Sequence, residues 1–239
     1  EKPVDLDLDR VKDCIKLVEQ EKATLMVGFQ RRFDPDFMAL KKTIDDGVIG
    51  DVEMVTLTSR DPGAPPADYI KRSGGIFRDM TIHDFDVARW LLGEEVATVQ
   101  AAASVLTDPA IKALGDYDSV NVILTTASGK HCTINNTRRA TYGYDQRIEV
   151  HGSLGSVSAE NHRESRIEIA NGAGYTRPPL LNFFMSRYRA AYANEIAAFV
   201  NAVANKTPTP TTGFDGLKAL ELADAALKSA ETGQTIKLS

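Results

Sequence analysis

The stretch Gly74-Gly75-Ile76-Phe77-Arg78-Asp79-Met80-Thr81-Ile82-His83-Asp84-Phe85-Asp86 divides the chain into two kinds of sequence. Its apolar residues Met80, Ile82 and Phe85 continue through Val87 to Leu91 and Leu92 before Gly93, which predicts a largely buried helix over about residues 79–92. Asp79 and His83 are four residues apart, so on a helix they stand about 40° apart around the axis and share a face. Asp86 falls on the same stripe. A narrow carboxylate–imidazole stripe on an otherwise apolar helix suits a pocket wall that holds a charge and accepts a proton. The plainer alternatives are a hydrogen-bonded core histidine, and an aspartate that caps the helix after the Gly74-Gly75 turn. The stretch alone leaves both open.

Working outward, the upstream part reads as α/β. Residues 5–21 form an amphipathic helix with Leu8, Val11, Ile15 and Val18 on one side, and 24–28 a short apolar strand. Together they read as the last helix and strand of a parallel α/β domain. Asp34-Pro35 opens a helix to about residue 46, with Gly47 just past its end. A strand at 51–59 and a proline-rich loop at 62–66 lead into the key helix. Downstream, strand candidates occupy 98–105, 119–126, 130–138, 146–151, 156–159 and 166–170. Short turns, Ser128-Gly129 the clearest, predict antiparallel neighbours. Gly152-Ser153-Leu154-Gly155 reads as a turn, and Gly172-Ala173-Gly174, which lacks a third glycine, as a loop. Helices over 183–204 and 216–231 close the chain, separated by Thr207-Pro208-Thr209-Pro210-Thr211. The predicted class is α/β (α+β): a large, mainly antiparallel, open-faced sheet covered by helices on one face, with a domain boundary between 1–29 and 30–239.

At 239 residues and 43% hydrophobic content the chain can build one large or two modest cores. A formal net charge of −5 argues against a nucleic-acid surface. No run approaches the ~18 apolar residues of a membrane span. Cys14 and Cys132 offer neither a disulfide framework nor a metal spacing, and no secretory leader is read, so a reduced, cytoplasmic setting is expected.

Four further elements accompany the central stretch in a fixed order: Glu1-Lys2-Pro3, Gly28-Phe29-Gln30-Arg31-Arg32-Phe33-Asp34, Tyr142-Gly143-Tyr144-Asp145 and Asp215-Gly216-Leu217-Lys218-Ala219-Leu220. The pattern resembles the Gfo/Idh/MocA oxidoreductases over essentially the whole chain, and among them the members that oxidise cyclitols. The resemblance implies oxidation of a small-molecule cyclic polyol, myo-inositol to its 2-ketone first among them, with NAD as cofactor and NADP as the alternative. Another sugar or cyclitol dehydrogenase of the family, or a non-catalytic sugar-binding regulator, is the competing reading; retention of Lys2, Asp79 and His83 speaks against the regulator.

The resemblance further implies that 1–29 is the remnant of a Rossmann domain. About a hundred residues of a family member, with its phosphate-binding loop, would then lie outside this chain. It also implies that the exposed sheet face builds a homo-oligomer, dimer or tetramer. It makes Lys2, Asp79 and His83 the catalytic set, with Lys2 and Arg31 beside the cofactor. An imidazole with a pKa near ~6.5 takes the carbinol proton. Asp79 could orient that ring, hydrogen-bond a neighbouring substrate hydroxyl and stabilise the imidazolium that forms, and Lys2 supplies positive charge to the developing alkoxide. Pro3 holds Lys2 extended and permits a cis bond, which the resemblance implies.

A polyol pocket needs donors and acceptors, for which Arg31, Tyr144, Asp61 and Ser59 are the candidates. Arg31 could instead pair with Asp34 or Asp36, and Tyr144 could be a packed turn residue. Ser59-Arg60-Asp61 stands where some relatives carry His-Arg-Asn, which changes the size and charge of that wall. Asp84 and Asp86 read as structural acceptors, and His131, His151 and His162 receive no role. Two carboxylates and an imidazole at Asp79, His83 and Asp86 could hold a divalent ion, but carbinol oxidation needs none when Lys2 is present, and no metal site is expected.

Overall fold

The computed structural model describes residues 1–238. Asp7 accepts from the backbone N–H groups of Asp9 and Arg10 and so starts helix α1 (Leu8–Gln20). The stretch at 24–28 is extended but belongs to no sheet; Val27 exchanges hydrogen bonds with Thr211 instead. The strand expected there lacks a neighbouring strand among the described residues. A 3₁₀ turn (Gln30–Phe33) leads to α2 (Pro35–Asp45), capped by Asp34 with Pro35 in its first turn, as the sequence predicts.

Next come β1 (Val52–Arg60), α3 (Ala67–Ser73), a π-helical turn (Phe77–Thr81), α4 (Ile82–Leu92) and β2 (Val96–Ser104). Helix α5 (Pro109–Ala113) precedes β3 (Ser119–Thr126), β4 (His131–Thr137), β5 (Asp145–Gly152) and β6 (Gly155–Ala159). A small hairpin, β7 (Ile169–Asn171) and β8 (Gly174–Thr176), follows. The chain closes with α6 (Phe184–Arg187), α7 (Arg189–Asn205), α8 (Gly213–Thr232) and β9 (Ile236–Lys237). Helices α3 and α5 arise in segments that carried no helix signal. The single helix expected at 183–204 is broken at the fully buried Tyr188 (φ −105°, ψ 20°).

Seven strands form one sheet in the order β6-β5-β1-β4-β3-β2-β9. Its neighbours are antiparallel except β1 and β4, which run parallel. Burial alternates along the strands. Val55 and Leu57, Val120, Val122 and Leu124, Cys132 and Ile134, and Ile148 and Val150 face the core. Thr56, Asn121, Ile123, Thr133 and Glu149 lie on the open face. Period-2 burial is what one covered face requires. Helices α4 and α8 pack on that face, and α1 packs on α8. Val27 and Phe29 share this core with α4 and the sheet.

The helix expected at 79–92 therefore exists from residue 82, but its first turn is π. Gly74 and Gly75, at φ 83° and 84°, lead into that turn. π turns often occur at functional positions.

Candidate active site

A cleft of about 600 Å³ opens where the start of the chain, the π turn, the residue after β4 and the α6–α7 region meet. Lys2, Arg31, Asp61, Asp79, His83 and Tyr144 all line it. The structure thus gathers six of the seven sequence-predicted site residues around one space, of a size typical for a small ligand.

The Lys2–Pro3 bond is cis. Lys2 Nζ lies 3.2 Å from Asp79 Oδ1 and also donates to the Asp79 carbonyl. Tyr69 Oη donates to the same Oδ1 at 2.7 Å, and Arg138 Nη2 to Oδ2 at 3.3 Å. The carboxylate is thus surrounded by three donors, and no hydrogen bond joins it to His83 among the described residues. This corrects the expectation that Asp79 orients the imidazole: Asp79 holds Lys2. Burial lowers the Lys2 pKa from its ordinary value, and Asp79 opposes that.

The His83 ring stands edge-on to Phe29, 6.2 Å between centroids, and its Nδ1 is buried with no partner among the described residues. Burial first, then the charges of Lys2 and Arg31, push its pKa well below 6.5. The imidazole is neutral at neutral pH and free to accept a proton.

Arg31 is 5% exposed, and its Nη1 donates to Asp84 Oδ1 at 2.6 Å and to Ser59 Oγ at 2.9 Å. The partners weighed from the sequence are taken: Asp34 by Arg187, Asp36 by His162. Ser59 Oγ donates to Asp84 Oδ1 at 2.6 Å, and Asn136 Nδ2 to Oδ2 at 2.9 Å. Ser59 is therefore a correction. It is 2% exposed and lies outside the cleft lining, holding the Arg31–Asp84 pair rather than facing a ligand.

Tyr144 packs edge-on against Phe183 and Tyr188, at 5.7 Å and 6.0 Å between centroids. Gly143 before it adopts φ 120°, where a Cβ would lie 2.7 Å from Leu180 Cβ. Asp61 is tied through its backbone to Thr137 and Ala140. Burial pushes its carboxyl up to about 6, against the pull of Arg138 and Arg31 and with the push of Asp79 and Asp84.

Asp86, placed on the Asp79–His83 stripe by α-helical geometry, is instead fully buried and clasped by Arg32, at 2.8 Å to Oδ2 and 2.5 Å to Oδ1. Arg32 Nη2 reaches on to Asp215 Oδ1 at 2.9 Å. Asp84 and Asp86 are thus the structural acceptors the sequence suggested. Among the described residues no group of three His, Cys, Asp or Glu side chains is placed to hold a metal ion.

Three cleft residues escaped the sequence reading: Tyr69 on α3, Arg138 just past β4 and Glu195 on α7. Glu195 is 8% exposed, its Oε1 has no partner among the described residues, and burial, then Glu1, raises its carboxyl to about 7. None belongs to a motif, and only the fold brings them to the cleft.

Residues 41–238 match the model of an oxidoreductase family's C-terminal alpha/beta domain, Gfo/Idh/MocA. The chain is 65% identical over all 239 residues to an inositol 2-dehydrogenase of Rhizobium meliloti (strain 1021), covering 72% of that protein. Its fold matches a crystal structure of a myo-inositol dehydrogenase from Corynebacterium glutamicum ATCC 13032 with TM-score 0.94 at 41% identity, covering 100% of this chain and 72% of that one. It also matches a scyllo-inositol dehydrogenase from Lactobacillus casei solved with bound cofactor NAD(H) and scyllo-inositol, with TM-score 0.91 at 29% identity, covering 99% of this chain and 71% of that one.

Proposed function

Because the chain belongs to the Gfo/Idh/MocA oxidoreductase family, we propose that it carries the catalytic half of an NAD-dependent polyol dehydrogenase, oxidising one ring carbinol of myo-inositol, or of a close cyclitol, to the ketone. One observation carries the reading: a neutral, unpartnered imidazole and an ammonium clasped by a carboxylate line the same cleft.

The nicotinamide, when bound, supplies the hydride acceptor. The residues present fit that group. Gly28 leaves the cleft without a side chain beside Glu1, where a Cβ would lie 3.4 Å from Glu1 Cα. Met80, Phe183 and Phe184 give the cleft apolar surface for a flat ring. Lys2 and Arg31 would hold it at the substrate junction.

The rest of the reaction falls to this chain's own side chains. His83 takes the carbinol proton through its ring, which burial keeps in the accepting state. Lys2, aimed by Asp79, places positive charge where the substrate oxygen gains negative charge. Asp61 and Tyr144 meet the remaining hydroxyls, one as acceptor and one as donor. Arg31, locked by Asp84 and Ser59, keeps the cleft floor positive without a rotamer search.

The open sheet face, with Thr56, Asn121, Ile123 and Thr133 exposed, is the surface proposed for a homo-oligomer, dimer or tetramer, in the cytoplasm. No helix among the described residues is long and apolar enough to cross a membrane.

The test is turnover. Protein expressed from its complete reading frame is mixed with NAD or NADP and a panel of cyclitols and sugars, and reduced nicotinamide is followed by absorbance. Growth with an inositol supports the reading; saturable polyol binding with no reduction under any condition refutes it.

A further inference from the structure

Arg138 follows β4 and is 1% exposed, yet no motif marks it. Its Nη2 donates to Asp79 Oδ2 at 3.3 Å and lies 3.7 Å from Asp116 Oδ2. Asp116 Oδ1 in turn accepts from the backbone N–H of Ile76 at 2.8 Å, at the entry to the π turn that carries Asp79. A Cβ on Gly75 would lie 2.8 Å from that same oxygen, so this close approach needs glycine there. Lys2, Asp79, Arg138 and Asp116 therefore form a row of alternating charges running from the cleft to the root of the turn.

A carboxylate held through one oxygen can still rotate about its last bond, where the torsional preference is broad. Asp79 Oδ1 is held by Lys2 and Tyr69, and only Arg138 reaches Oδ2 among the described residues. A charge-assisted donor on the second oxygen removes the rotation.

We infer that Arg138 is a positioning residue for the dehydrogenase reaction: with Asp116 as a counter-charge 3.7 Å away, it fixes Asp79 from the side opposite Lys2, and so fixes the direction in which the Lys2 ammonium points. The inference rests on Lys2, Asp79 and His83 being the catalytic set. Arg138 acts through Asp79, so its loss should weaken the step in which charge develops more than it weakens substrate binding.

Arg138→Gln and Arg138→Lys, in protein expressed from its complete reading frame, test this with kcat and KM on the polyol oxidised fastest. The expected result for Arg138→Gln is a fall in kcat of ~10–100-fold, the scale of a small misplacement of a catalytic group. KM should stay within about threefold, the signature of an interaction made in the transition state. Arg138→Lys should recover part of kcat, because its ammonium can still reach one Asp79 oxygen. A folded Arg138→Gln with unchanged kcat, a loss confined to KM, or a lysine variant no better than glutamine overturns the assignment.

Should Arg138→Gln fail to fold, Asp116→Asn takes its place, with the same fall in kcat at constant KM expected and an unchanged kcat overturning the inference. A crystal structure of a folded variant gives a readout independent of substrate. Asp79 rotated away from Lys2 supports the inference, and Asp79 still joined to both Lys2 and Tyr69 refutes it. Absence of turnover by the unmutated protein on every polyol would instead sink the functional reading, leaving the crystal structure to decide the positioning.

Discussion

Replacing Asp61 with asparagine should stabilise the protein at neutral pH while weakening its handling of polyol. The folded-state pKa of Asp61 is about 6, raised chiefly by burial, against an ordinary value of 3.8. A group whose folded pKa lies above its unfolded value holds its proton more tightly when folded. Its contribution to stability is complete below about pH 3.8 and is lost as the pH rises through about 6. The separation of about two pH units corresponds to about 3 kcal/mol of destabilisation at pH 7 and above. That figure is a ceiling, because the side chain keeps some contact with water. Asparagine has the same shape and no charge to bury, so it escapes the penalty. Urea unfolding of both proteins from about pH 4 to about pH 8 reads the difference. It should be small at the acid end, grow by at most about 1.4 kcal/mol per pH unit, and level off above about pH 6. Steady-state kinetics on the same samples should show a lower kcat/KM, since an amide is a weaker acceptor for a hydroxyl than a carboxylate. A stability gap that does not change with pH, or an asparagine variant less stable at pH 7, would refute the reasoning.

His83→Ala should lower kcat by ~10²–10⁴-fold with a smaller change in KM. In the unmutated protein the acid limb of the oxidation rate should lie well below pH 6.5, because burial, then Lys2 and Arg31, depress the pKa of a base that must be neutral to act; a limb at or above 6.5 removes His83 from that role. Asp84→Ala strands the buried Arg31 guanidinium and should cost ~3–5 kcal/mol in chemical denaturation, and a loss below about 1 kcal/mol would show that the pair is dispensable. Gly143→Ala forces a side chain into φ 120° and toward Leu180 Cβ, so thermal unfolding should report a loss of about 1–3 kcal/mol, and an unchanged melt would contradict the geometry.

Local chemistry carried much of the fold in the sequence itself. Asp34-Pro35 and Gly47 bracket α2, the alternation from Ser119 to Thr126 gives β3, and the two glycines around Ser153-Leu154 give the β5–β6 hairpin. What escaped depends on distant residues. The π turn before α4 is shaped by Asp116, which binds the Ile76 N–H from 40 positions away. Arg31 has acidic neighbours at 34 and 36, but its partner is Asp84, brought close only when α4 lies across β1. Tyr188 breaks the long helix expected at 183–204 in a run whose apolar pattern continues through it. For the site, helical spacing put Asp79 and His83 together, yet it could not tell which of Lys2 and His83 the carboxylate would hold.

That choice sets the chemistry of the cleft. A carboxylate on the imidazole would raise its pKa and favour its charged form. Asp79 instead supports Lys2, opposing the burial that lowers the pKa of the ammonium. Among the described residues no anion pairs with His83, and the charges of Lys2 and Arg31 add to the effect of burial in keeping it neutral. Burial lowers the pKa of both nitrogen bases, and the pairing with Asp79 counters that for Lys2 but not for His83. The buried, unpartnered Nδ1 of His83 is consistent with this, since a ring with no anion beside it has nothing to hold a second proton. On the proposed reading, the Lys2–Asp79 pair leaves His83 to accept the proton and Lys2 to stabilise the oxygen that proton leaves behind.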